Sequence, residues 1–174
     1  MPLILPVKGI SPTFGTDCFI AENATIVGDV VLGTHCSVWF NAIMRGDVNQ
    51  IRIGNYTNIQ DGVTVHCTFE HAATTIGNYV SVGHNAIIHG CTLHDRVLVG
   101  MGAIIMDKAI VEEYCIIAAG SIVLENTLCE SGYIYAGAPV KKIKPISDSQ
   151  RALLDQLPDR YVLYSDWFKN PQEL

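Results

Sequence analysis

The sequence predicts a mainly β protein: a parallel β-helix of hexapeptide repeats followed by a C-terminal α-helix. Three observations predict it. Between Leu93 and Val123 every sixth residue is aliphatic: Leu93, Val99, Ile105, Val111, Ile117 and Val123. Two places before each stands a compact residue: Cys91, Val97, Ala103, Ala109, Cys115 and Ser121. The rhythm also extends far toward the N-terminus, which chance alternation in unrelated strands would not do.

The elements follow in order. A first block runs Ile20, Ile26, Leu32, Val38, Met44, with Cys18, Ala24, Val30, Cys36 and Ala42 at the small positions. A three-residue insertion precedes Ile53, Ile59 and Val65. A longer insertion around Phe69 to Ala73 precedes Ile76, Val82 and Ile88; one residue is then dropped before Leu93. Each hexapeptide supplies a short strand and a turn, and three close one triangular coil. Seventeen such strands make between five and six coils, a prism about 27 Å tall at the strand spacing of ~4.8 Å. Ser147-Asp148-Ser149-Gln150 has the form of a capping box, so Arg151 to Phe168 is expected to be helical, kinked or split at Pro158. Leu153, Leu154, Leu157, Val162, Leu163 and Trp167 are expected to pack that helix on the prism. The expected division is 1–146 for the repeats and 147–174 for the helix.

The chain of 174 residues is 49% hydrophobic and 16% charged, enough apolar surface for a large core. Its net charge of −6 argues against nucleic acid or an anionic membrane as partner, because both require basic patches. No cysteines form a C-x-x-C pair, and Cys36, Cys91 and Cys115 occupy small repeat positions. They are expected to be core thiols in a reducing compartment, not a disulfide framework. No signal-peptide pattern or membrane-length apolar run is seen, so a cytoplasmic location is expected.

The repeat assigns each residue to a coil and a face. Met44, Val65 and Ile88 lie three strands apart, so the residues after them, Arg45, His66 and His89, share one vertical column. His84 follows Val82-Gly83 on another face, with Asp61 beneath it. His35, His71 and His94 belong to neither column. Cys67 should point away from His66 by strand alternation. His66 and His89 sit about 4.8 Å apart at the backbone and can share a metal. His84 lies on another edge of the same prism. In a homotrimer, where one edge of each prism meets a different edge of its neighbour, His84 of one copy completes the pair of the next. Three imidazoles with an open position describe a catalytic zinc site. Zn²⁺ suits the set, as do Co²⁺ and Fe²⁺.

These residues match a family. Arg45-Gly46-Asp47, Asn58-Ile59-Gln60-Asp61-Gly62, Val65-His66, Val82-Gly83-His84 and Ile88-His89-Gly90-Cys91 resemble the γ-class carbonic anhydrases, in particular their short bacterial branch. Val99-Gly100-Met101-Gly102 and Tyr135-Ala136-Gly137-Ala138-Pro139-Val140 extend the likeness over nearly the whole chain. The resemblance implies a left-handed winding and a homotrimer with three interfacial metals, His66 and His89 from one subunit and His84 from the next. It implies that Arg45 pairs with Asp47 and Asp61 across the interface. Asn58 and Gln60 would hold and orient metal-bound water or bicarbonate. The implied reaction is zinc-hydroxide attack on carbon dioxide (CO2), giving bicarbonate. By weaker analogy Tyr161 lines the pocket. Active members carry a glutamate where this chain has Val48, and a long acidic loop where this chain has a short one with Glu70. Three functions therefore stand: a zinc lyase hydrating CO2, at full or low turnover; a non-catalytic trimeric metal-binding scaffold; and a coenzyme A-dependent acyltransferase or thioesterase.

Overall fold

The computed structural model describes residues 1–169. The last residues of the expected 147–174 segment, 170–174, lie outside that range. The chain winds into a β-solenoid of about seven turns with one helix. Large residues stack in register on three faces. The first face carries Ile20, Val38, Ile59, Val82, Val99, Ile117 and Tyr135. The second carries Ile4, Ile26, Met44, Val65, Ile88, Ile105 and Val123. The third carries Phe14, Leu32, Ile53, Ile76, Leu93, Val111 and Cys129.

The prism is taller than the aliphatic rhythm alone predicts. Ile4, Phe14, Cys129 and Tyr135 add four rungs at its ends. Phe14, Cys129 and Tyr135 replace the aliphatic residue with a ring or a thiol, and Phe14 comes ten positions after Ile4 instead of six. The interior is a single apolar column in which the small positions Ala24, Ala42, Ala86, Ala103 and Ala109 are fully buried. All six cysteines are free thiols, and only Cys18 is not buried. The top is closed by a strand over Val140–Pro145 that pairs antiparallel with Tyr133–Gly137.

Each coil turns its corners on residues in the left-handed backbone region. One corner stacks His35, Tyr56, Tyr79, Arg96 and Tyr114, all with φ between 54° and 58°. Bulky side chains rarely adopt this conformation, and here they stack on one another. His35 lies 4.7 Å from Tyr56, and Tyr56 lies 5.1 Å from Tyr79. Arg96 then covers Tyr79 at 4.6 Å, and Arg151 covers Tyr114 at 3.6 Å. Beside this ladder Asn55, Asn78 and Asp95 each accept a backbone N–H from the coil below.

The helix spans Asp148–Lys169 without a break. Its start is the expected capping box. The Ser147 amide donates to Gln150 Oε1 at 2.9 Å, and the Gln150 amide donates to Ser147 Oγ at 3.3 Å. Pro158 does not split it. Pro158 is buried on the same stripe as Leu154 and Ser165, so packing on the prism holds the helix through the lost hydrogen bond. The expected packing face is corrected in part. Leu154 is buried, but Leu153, Leu163 and Trp167 are exposed, and the aromatic contacts come from Tyr161 and Phe168. Trp39 receives both rings on the first face. The helix descends from Asp155, bonded to Arg96 and Tyr114 in the upper coils, to Lys169, which donates to the Asp17 carbonyl in the lower ones. Among the described residues no helix is long and apolar enough to cross a membrane.

Candidate metal centre

The second face presents the predicted column. His66 and His89 are direct register partners, one coil apart, and Arg45 stands one coil below on the strand that pairs with His66's. The two imidazoles converge, with His66 Nδ1 3.1 Å from His89 Nε2. Their remaining ring nitrogens both meet carboxylates. His66 Nε2 lies 3.2 Å from Asp47 Oδ1, and His89 Nδ1 lies 2.6 Å from Asp107 Oδ1. If each N–H donates to its carboxylate, as the network assigns, the two other nitrogens point lone pairs at one another. Two such lone pairs need a cation or a proton between them. Two imidazole nitrogens on one tetrahedral zinc stand about 3.3 Å apart, close to the spacing found. The donor set therefore fits a metal.

Electrostatics around the pair are consistent. Burial pushes the His66 pKa below the usual imidazole value, against the Asp47 hydrogen bond, so the ring favours the neutral form that ligates. Burial alone would push Asp47 up, but hydrogen bonds from Arg45 and His66 hold it below the usual carboxylate range. Arg45 Nη1 donates to Asp47 Oδ2 at 2.6 Å. Asp107 is likewise low: bonds from Thr68 and His89 outweigh its burial.

Other predicted residues gather elsewhere. His84 Nδ1 meets Asp61 Oδ2 at 2.9 Å, as the second column predicts. Gln60, on the same face, donates to Asn58 Oδ1 at 3.0 Å, and Asn58 donates to Ser81 Oγ at 2.8 Å. Tyr161 packs edge-on against Trp39 on the first face; burial, with Asp61 and Tyr164 nearby, raises its pKa. One chain thus splits the predicted residues into two groups. Arg45, Asp47, His66 and His89 lie together on the second face, and Asn58, Gln60, Asp61 and His84 belong to the first. Within the chain Arg45 pairs with Asp47, while Asp61 pairs with His84. Among the described residues no three His, Cys, Asp or Glu side chains converge to hold a metal.

Cys67 is buried away from His66, as expected from alternation. Glu70 sits at a left-handed turn position in the short loop closed by the Thr68–Ala72 bridge. Val48 packs against the core, so no carboxylate stands there. Asp107 escaped the column count because it lies two residues after Ile105, whereas His66 and His89 lie one after Val65 and Ile88. The signal was diagonal: one coil up and one residue on.

Known proteins share this repeat and its fold. The bacterial transferase hexapeptide model matches residues 90–125. The protein YrdA of Escherichia coli is 42% identical over 170 residues, covering 94% of this chain and 92% of the relative. A carbonic anhydrase of Geobacillus kaustophilus is 34% identical, covering 98% of this chain and 93% of the relative. The chain belongs to the hexapeptide-repeat γ-carbonic anhydrase-like family. A solved Anaplasma phagocytophilum structure of the hexapeptide transferase family superposes with a TM-score of 0.91 at 38% identity, covering 94% and 96% of the two chains. The chain spans only 56% and 57% of the length of two γ carbonic anhydrases of Arabidopsis thaliana that it matches.

Proposed function

We propose that this γ-carbonic anhydrase-like protein is a trimeric zinc lyase that hydrates CO2 to bicarbonate. The observation that carries it is the 3.1 Å approach of His66 Nδ1 to His89 Nε2, each ring backed by a carboxylate. These two rings would hold the metal from one copy, and His84 of the neighbouring copy would supply the third imidazole. Neighbouring apolar exposure supports the docking. Ile43 and Ile87 flank the His66 column at 42% and 38% exposure, and Met101 follows His84 in its column at 58%. Such a patch beside incomplete polar groups is typical of an interface.

Zinc, when bound, supplies the Lewis acidity that lowers the pKa of water to about 7. The chain's own residues do the rest. Asp47 holds His66 and Arg45 together. Gln60, braced by Asn58 and Ser81, would arrive with His84 from the neighbouring copy and orient water or bicarbonate through its amide. The packed Val48 leaves proton export without a carboxylate at that position, which favours low turnover. The same feature supports a second reading, a trimeric metal-binding scaffold without turnover. An acyl-transfer function draws on fold likeness alone.

The test is stopped-flow CO2 hydration by zinc-loaded protein under both oxidising and reducing conditions, beside His89→Ala. Hydration that the substitution abolishes is expected. Full zinc occupancy with no hydration under either condition refutes the lyase and leaves the scaffold.

A further inference from the structure

We infer that Asp107 is a positioning residue that fixes the tautomer and orientation of His89, and that Thr68 and Gly90 build its seat; this rests on the metal reading of His66 and His89. Asp107 is 9% exposed and stands in the turn that follows the Ile104–Ile105 strand, one coil above His89. A buried carboxylate there is costly unless both oxygens are satisfied. Both are: Oδ1 takes His89 Nδ1–H at 2.6 Å, and Oδ2 takes the Thr68 hydroxyl at 2.5 Å.

The approach requires an absent side chain. A Cβ on Gly90 would collide with Asp107 Oδ1 and stand 2.8 Å from Ala72 Cβ. Gly90 also has φ +57°, and its carbonyl accepts the Lys108 amide at 2.7 Å. The glycine after the histidine thus opens the gap through which the next coil's carboxylate reaches the ring. Thr68 ties this carboxylate to the short loop at its Thr68–Ala72 closure.

The consequence is directional. With Nδ1 occupied by its proton, His89 has one lone pair left, on Nε2, and that atom faces His66. A carboxylate on the far nitrogen of a ligating imidazole also raises its basicity, and removing such a partner typically weakens metal binding about 10- to 100-fold.

Zinc affinity, measured against a chromophoric chelator, and the ¹⁵N NMR tautomer of His89 in metal-free protein test this in wild type, Asp107→Ala and Asp107→Asn. The Ala variant is expected to lose about 10- to 100-fold in affinity and to show a mixed His89 tautomer. Asn keeps an acceptor for the Nδ1–H at the same size, so it should retain the tautomer and recover part of the affinity even if Ala folds poorly. An Ala variant with wild-type affinity or an unchanged tautomer overturns the assignment while leaving the metal site standing, as does Asn binding no better than Ala. A wild type that binds no zinc overturns the metal reading and the inference with it.

Discussion

Mixing two inactive variants gives the sharpest test of a site divided between copies. His66→Ala destroys the half on the second face and leaves His84 intact; His84→Ala does the reverse. In a ring of three each interface is heterologous, joining the second face of one copy to the His84 edge of the next. A working site then needs the His84→Ala variant on the first side and the His66→Ala variant on the second. Random assembly of equal amounts satisfies this at half times half, so about one quarter of sites return. Selecting mixed trimers with two affinity tags raises the yield, because every two-to-one trimer has one restored interface in three, about 33%. The assay is zinc per chain by mass spectrometry after co-expression, with each variant alone as control. Each alone is expected to be nearly metal-free. Mixed trimers without zinc, beside a wild type that holds it, refute the division; so does a His84→Ala protein that keeps its full zinc.

Other outcomes follow from packing and ionisation. Ile88 is fully buried between Val65 and Ile105, so Ile88→Ala should cost about 2–5 kcal/mol. At about 2–4 °C per kcal/mol for a chain of this size, thermal denaturation should begin roughly 4–20 °C lower; an unchanged midpoint contradicts the core assignment. Ser147→Ala removes one half of the capping box and should cost about 1 kcal/mol in denaturant unfolding, with loss of nothing pointing to a cap that contributes nothing. The neighbouring Cys36 thiol lowers Cys18 below the ordinary thiol value despite partial burial, whereas burial pushes Cys91 and Cys129 up to about 12. Thiolate is the reactive form and Cys18 alone is not buried, so alkylation of native protein should mark Cys18 first, its rate rising at a pH below the ordinary ~8.5. Peptide mapping that finds Cys91 or Cys129 labelled as fast disproves this order.

The columns were legible because the period of six converts sequence distance directly into height and face. That arithmetic placed His66 over Arg45 and His89 over His66, and Asp61 under His84. It stopped short at both ends, where Phe14, Cys129 and Tyr135 fill core positions without being aliphatic. It also missed Asp107, whose partner lies along a diagonal that opens only because residue 90 is glycine. On the helix, apolar residues occupy more than one stripe, and periodicity alone does not say which stripe meets the prism. Leu154 meets it, while Leu163 and Trp167 face outward.

The descending helix changes how the solenoid comes apart. A stack of coils touches only its nearest neighbours, so its ends would ordinarily fray one rung at a time. Here the same 22-residue helix bonds to Arg96 and Tyr114 high in the stack and to Asp17 near its foot. Opening the lowest coil must therefore strip contacts that also steady the upper ones. The array behaves as a strapped bundle, and amide exchange from its two ends should be coupled instead of independent.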